Sequence, residues 1–221
     1  MIRAIVFDFD GVILDTETNE FRAYQDVYRQ HGAELPLEVW SSVIGTDMTD
    51  VFDPYKYLED QTGKPVDRDA FSRMRRELFL QRMETEQLRP GVISVLDQAA
   101  RLGLSVGLAS SSSRSWVTGY LTKFGLLDRF SCIRTKDDVL KVKPDPELYV
   151  QAVGCLGVQP GEAIAFEDSA NGALAAHRAG LHCVIVPNPV TEALLFGEHR
   201  KRLTTMEGLD LAELISELPA V

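Results

Sequence analysis

The chain begins with an apolar run that breaks into acids: Phe7-Asp8-Phe9-Asp10-Gly11-Val12-Ile13-Leu14-Asp15-Thr16. Side chains two apart on a strand share a face, so Asp8 and Asp10 can reach one site. Two close carboxylates repel unless a proton or a cation lies between them, and an all-oxygen site of this kind suits Mg²⁺. A second acidic pair, Glu167-Asp168, ends another apolar run and precedes Ser169, Asn171 and Gly172. One such pair also reads as a solvated turn, and Asp168 or Ser169 also reads as a helix cap. Two pairs at the ends of two strands are harder to assign to solvation.

Two further segments offer groups that bind anions. Ser110 to Ser113 lie between an apolar run and a helical pattern starting near Trp116. Hydroxyls and free N–H groups at a helix start attract anions, helped by the helix dipole. Ser112 or Ser113 is the expected N-cap, which leaves Ser110 at the strand tip as the better ligand. In Lys141-Val142-Lys143-Pro144-Asp145-Pro146, Pro144 holds Lys143 extended just before a helix that Pro146 can start. Read singly, Lys143 is a solvated surface group; beside the acids it would neutralise both a phosphate and the carboxylates.

These side chains need a frame that brings four distant segments together. Five short runs, 4–8, 104–110, 131–135, 163–167 and 182–187, are dense in Val, Ile, Leu and Ala without alternation, as buried parallel strands are. Helical patterns separate the last four runs, and Gly103, Gly125, Gly157 and Gly180 stand where those helices must stop. Alternating strands and helices predict a Rossmann-like, doubly wound α/β parallel sheet. About 100 residues separate the first two strand starts, whereas one crossover needs about 30. The surplus is helical in pattern: Phe21, Tyr24, Val27 and Tyr28; a segment around 51–58; and Phe71, Met74, Leu78 and Met83 after Asp67. An inserted α-helical cap domain over 16–87 follows, on a core of 1–15 and 88–221, with hinges near 15–17 and 86–91. Such an insertion overhangs the carboxyl ends of the strands, where open α/β sheets bind ligands.

Composition limits the partners. Thirty-three acidic against 23 basic residues give a net charge of −10, which excludes a general affinity for nucleic acid. No apolar run approaches the ~20 residues of a membrane helix, so no membrane partner is expected. The start of the chain lacks the long apolar core of a secretory signal. Cys132, Cys155 and Cys183 form no C-x-x-C pair, which reads as three free thiols in a reducing cytoplasm.

In their order and spacing, Asp-Phe-Asp-Gly-Val, the strand-end Ser, Lys-Pro and Glu-Asp-Ser-x-x-Gly together resemble the haloacid dehalogenase-like superfamily of aspartate-dependent phosphotransferases. The pattern is most similar to the β-phosphoglucomutase-like branch, which carries a helical cap after the first strand. The resemblance implies that Asp8 attacks phosphorus and becomes an aspartyl-phosphate. Asp10 then protonates the leaving alcohol and activates the water that clears the intermediate. It implies that Ser110 and the Ser111 N–H hold phosphoryl oxygens, that Lys143 stabilises nucleophile and phosphate, and that Gly11 lets backbone approach the phosphate. Mg²⁺ would be held by Asp8, the Asp10 carbonyl, Asp168 and Glu167, the last directly or through water. Gly11, Thr16, Glu17, Thr46 and Ser111 are the implied substrate contacts.

An acid at position 10 favours phosphate esters, since an alcohol leaving group needs a proton and a halide does not. Within the branch, a mutase pattern places a His five residues after Asp15, where this chain has Glu20, and an Arg shortly after the glycine of Gly45-Thr46-Asp47. Neither is present, so the expected activity is Mg²⁺-dependent hydrolysis of small phosphorylated metabolites such as sugar phosphates or phosphoglycolate. A phosphosugar mutase and a non-catalytic phospho-receiver are the alternatives. Glu17, Glu20, Thr46 and Asp47 offer hydrogen bonds to a polyol, and Arg75 and Arg76 a contact to a second anion. Read singly, each is a surface residue. A monomer or weak homodimer is expected.

Overall fold

The computed structural model describes residues 1–41 and 52–218. Six parallel strands form one sheet in the order β3-β2-β1-β4-β5-β6. They are β1 (Ala4–Phe7), β2 (Ser105–Ala109), β3 (Cys132–Arg134), β4 (Ala163–Glu167), β5 (His182–Ile185) and β6 (Lys201–Arg202). The first five are the expected strands, each trimmed by a residue or two except β4. The two-residue β6 has too little pattern to be read from sequence.

Nine α-helices are described: α1 (Thr16–Gln30), α2 (Leu37–Ser41), α3 (Pro54–Thr62), α4 (Arg68–Thr85), α5 (Val92–Arg101), α6 (Arg114–Lys123), α7 (Glu147–Leu156), α8 (Ala170–Arg178) and α9 (Leu211–Glu217). Gly103, Gly125, Gly157 and Gly180 stand at or just past helix ends with φ between 66° and 82°, as expected of left-handed stops.

Side-chain alternation sorts the sheet into two buried layers. Ile5, Phe7, Ile164 and Phe166 face one cluster with Val95, Leu96, Val117 and Leu121. Ala4, Val6, Ala163 and Ala165 face the other, with Tyr149, Ala152, Val153 and Ala176. Helices therefore cover both faces, the doubly wound arrangement, and the apolar runs are continuous because neither face meets water.

Helices α1 to α4 lie between β1 and β2 and build a third core of their own from Phe21, Tyr24, Tyr28, Trp40, Leu58 and Phe71. Asp15, Asp53 and Asp67 cap α1, α3 and α4 by accepting from backbone N–H groups two or three residues on. The two links to this insertion run side by side, with Leu14 and Leu88 bridged antiparallel and Arg89 N–H bonded to the Ile13 carbonyl at 2.9 Å.

One sequence expectation is corrected. Cys132 and Cys155 are joined in a disulfide, their Cα atoms 6.1 Å apart; only Cys183 is a free, buried thiol. The chain between them leaves β3, crosses a loop and returns along α7, which packs against β2 and β3. Distance along the chain thus hid a spatial neighbour. With two thiols paired, cysteine usage no longer argues for a reducing compartment. No described helix is long and apolar enough to cross a membrane.

Candidate active site

Register alone brings the acids together. Phe7 of β1 is level with Phe166 of β4 and with Leu108 of β2. The next residues, Asp8 and Glu167, are therefore neighbours at the carboxyl ends of adjacent central strands. The chain runs to β2 and β3 on one side of this point and to β5 and β6 on the other, so it is the topological switch point, where open α/β sheets hold ligands. Asp8 and Glu167 continue the alternation that turns Val6 and Ala165 toward α7. Lys143 and Tyr149 come from that side.

Lys143 Nζ lies 2.6 Å from Asp8 Oδ1 and 2.6 Å from Glu167 Oε1, with its side chain 6% exposed. The two carboxylates hold this ammonium above the ordinary lysine range despite its burial. Tyr149 donates its hydroxyl to Glu167 Oε1 at 2.5 Å, and the Asp168 N–H and Ser169 hydroxyl donate to Oε2. Asp168 is buried, and its Oδ2 accepts from Asn188 Nδ2 at 2.7 Å.

Donor oxygens of Asp8, Glu167 and Asp168 all lie within 4.8 Å of one another. Burial raises Asp8 to about 8, with Glu167 and Asp10 adding to the rise and Lys143 opposing it. Burial likewise pushes Asp168 well above its ordinary value, helped by Asp8, Glu17 and Glu167. One ammonium does not balance this many buried carboxylates, so the cluster has the charge and donor chemistry of a hard divalent cation site. The Asp10 side chain is not part of it. β1 stops at Phe7, so strand alternation does not carry as far as Asp10, which lies in the following loop.

Asp10 faces the opposite wall. Ser112 donates to its Oδ2 at 2.6 Å, Ser110 to the same oxygen at 3.4 Å, and the Trp116 indole to Oδ1 at 3.0 Å. Ser113 caps α6 by accepting from the Trp116 N–H, which frees Ser112 for this contact. Ser110 is fully buried and also accepts from the Ser112 N–H at 2.9 Å. It braces the turn rather than lining the space above it. Ser111 does line that space, and no hydrogen bond among the described residues ties down its N–H.

Gly11 has φ +80°, and a Cβ there would overlap the Asp168 carboxylate. Close approach to a neighbouring carboxylate therefore fixes this residue as glycine.

Above the acids lies a cavity of about 1020 Å³, lined from the sheet by Asp8, Asp10, Lys143 and Asp168 and from the insertion by Thr16, Glu17, Glu20, Arg75, Arg76, Phe79 and Leu80. The Thr16 hydroxyl is buried without a partner among the described residues. Burial raises Glu17 to about 8, with Asp10, Glu20 and Asp8 adding to it. Glu20 is paired with Arg75 at 2.6 Å. Thr46, Asp47 and Gly45 lie outside the described residues.

Sequence reasoning missed Tyr149, Trp116, Asn188 and Arg89. The first two read as ordinary members of apolar helix faces, and no pattern in the sequence singles out Asn188. Arg89 donates to the carbonyls of Gly11, Val186 (2.9 Å) and Pro187 (2.7 Å), and no periodic pattern announces an arginine that binds only backbone.

Known proteins resemble this chain in sequence and fold. Residues 5–186 match the haloacid dehalogenase-like hydrolase family model. The Bacillus subtilis (strain 168) protein YhcW, a phosphatase by name, is 52% identical over 99% of this chain and 98% of its own. Hexitol phosphatase B of Escherichia coli K12 is 31% identical, with 85% of each chain covered. The crystal structure of CbbY from Rhodobacter sphaeroides in complex with phosphate superposes with a TM-score of 0.74 at 30% identity, covering 97% of this chain and all of that one. The chain belongs to the haloacid dehalogenase-like hydrolases.

Proposed function

We propose that the protein hydrolyses phosphate monoesters of small metabolites, with Asp8 as the nucleophile. One observation carries the reading: a buried carboxylate is held by Lys143 at the floor of a large cavity, between two further acids on one side and Asp10 on the other. Asp8 attacks phosphorus; the Asp8–phosphorus bond forms as the ester bond breaks. Asp10 gives a proton to the departing alcohol, then takes one from the water that cleaves the acyl phosphate. Lys143 neutralises Asp8 in the resting site and faces a phosphoryl oxygen during transfer. The free Ser111 N–H and the α6 N-terminus offer donors to the remaining phosphoryl oxygens.

Mg²⁺ fits the donor set. Asp8, Asp168 and the Asp10 carbonyl would hold it. Glu167 has donors on both oxygens, so its place is beside the ion, orienting Lys143 or reaching the ion through water. Bound there, the ion would neutralise the equatorial oxygens as charge moves between them.

The alcohol portion would lie beneath the insertion. A cavity of about 1020 Å³ accommodates a hexose- or hexitol-sized group. Glu17, raised to about 8, stands there able to exchange hydrogen bonds with hydroxyls, and Glu20 and Thr16 add further polar groups, so we infer a neutral polyhydroxylated leaving group. Position 20, where a mutase would carry its histidine, holds a glutamate already tied to Arg75, which leaves hydrolysis as the favoured outcome.

A screen of about a hundred phosphorylated metabolites with Mg²⁺ present, scored by phosphate release, tests this. Polyol and sugar phosphates are expected to outpace phosphoglycolate, and Asp8→Asn to remove the activity. Undiminished release by Asp8→Asn would overturn the mechanism.

A further inference from the structure

Trp116 is one of two tryptophans in the chain, and it touches two separate parts of the machinery. It stands in the first turn of α6, on the sheet side of the cavity. Its indole N–H donates to Asp10 Oδ1 at 3.0 Å. Its ring face stacks on Phe79 of α4, with centroids 5.7 Å apart and planes 25° apart. Tyr120 closes its edge at 4.7 Å in a T-shaped contact. Phe79 belongs to the last helix of the insertion and lines the cavity.

The three contacts have distinct consequences. An indole N–H is a donor only and does not titrate in the working range, so it can orient a carboxylate without competing for its proton. Ser112 holds the other Asp10 oxygen at 2.6 Å. Ser110 adds a longer contact to that oxygen at 3.4 Å, so the carboxylate plane is fixed by donors on both oxygens, and the indole is the rigid one. The rigid donor is itself gripped by an aromatic ring that comes from the insertion. Offset and T-shaped aromatic contacts hold ring planes, not only positions. A displacement of α4 therefore removes the surface that sets the indole plane, and with it the direction of the N–H.

We propose that Trp116 is a positioning residue for Asp10, and that Phe79 makes its aim depend on where the insertion lies. The proposal rests on the reading of Asp10 as proton donor and acceptor given above. In the step concerned, Asp10 transfers a proton to the ester oxygen as that oxygen leaves phosphorus and the Asp8–phosphorus bond forms. A poorly aimed carboxylate slows this step only when the leaving alcohol needs the proton. A p-nitrophenolate leaving group scarcely needs it; an alkoxide does.

The experiment compares Trp116→Phe with the unsubstituted protein on p-nitrophenyl phosphate and on an alkyl phosphate such as glycerol phosphate. Phenylalanine keeps the stack on Phe79 and removes the N–H. The alkyl ester kcat/KM, which reports only the steps up to loss of the alcohol and not the later attack of water, is expected to fall about tenfold to a hundredfold, part of the usual general-acid contribution, while kcat/KM for p-nitrophenyl phosphate changes by less than about threefold. In an Asp10→Asn background the substitution should add little, since the group being aimed is gone. Equal losses of kcat/KM on both esters, or a full further loss in that background, would overturn the proposal.

Should Trp116→Phe fold poorly, the bond can be read in the unsubstituted ring. The Trp116 indole N–H proton resonance, isolated in Trp40→Phe protein, is expected to move upfield in Asp10→Ala; an unmoved resonance would contradict the contact. If instead the parent protein shows no Asp8-dependent turnover of either ester, the functional reading has failed and the resonance still reports on the geometry.

Discussion

At the residue scale, the site is a balance among buried charges. Asp8 and Glu17 each rest at about 8 in the metal-free protein, far above the values they take in an unfolded chain. The folded state therefore binds more protons than the unfolded state between about pH 4 and pH 8, and stability falls as pH rises through that window. His182, held below its ordinary value by burial, acts in the opposite sense near its own range. Asp8→Asn isolates the effect: thermal midpoints in EDTA should decline less steeply with pH in the variant than in its parent. Identical slopes would contradict the burial of an unbalanced Asp8 carboxylate. Gly11 makes a second prediction. Gly11→Ala forces a Cβ into the Asp168 carboxylate at a positive φ, at an expected cost of about 2 kcal/mol or more, and ester turnover should vanish with it. Denaturant midpoints and turnover together check this. The acids and the serines were legible in the sequence because they end apolar runs, and Lys143 because Pro144 follows it and the other motifs accompany it. Trp116 and Tyr149 were not, because aromatic residues on a helix face are what a core requires anyway.

At the element scale, strand ends do the assembling. β1 and β4 were legible as continuous apolar runs, and their register follows from pairing them in the centre of one sheet. The insertion was legible from its surplus length, and the start of its last helix from the pattern that begins after Asp67. β6 and α9 were not foreseen: the first is two residues long and the second seven, too short for periodicity to accumulate. The disulfide was not foreseen either, because its partners meet only once α7 has folded back on β3. It joins an edge strand to the helix that carries Tyr149, and closes a 23-residue separation. Cys155→Ser is expected to cost about 3 kcal/mol in denaturant unfolding, and dithiothreitol should reproduce that loss in the parent but not in the variant. An unchanged midpoint in both cases would contradict the bond.

At the scale of the whole molecule, a doubly wound sheet supplies the phosphate end of the site and a helical insertion supplies the roof. The core chemistry is concentrated at four strand ends, which is why motif order and fold class could be read together from sequence. In the proposed reading, side chains on the inner surface of the insertion would select the ester, and their mutual arrangement follows from packing between α1 and α4 rather than from any local motif. The pairing of Glu20 with Arg75 is an example: 55 residues apart, they neutralise each other across the two helices. The central claim is that Asp8 receives the phosphoryl group. Acid-quenching the enzyme during turnover of its best ester, followed by proteolysis and mass spectrometry at low pH, tests it directly. The account predicts one added phosphoryl group on the peptide bearing Asp8, absent from Asp8→Asn; turnover that proceeds with the phosphoryl group on another residue would contradict it.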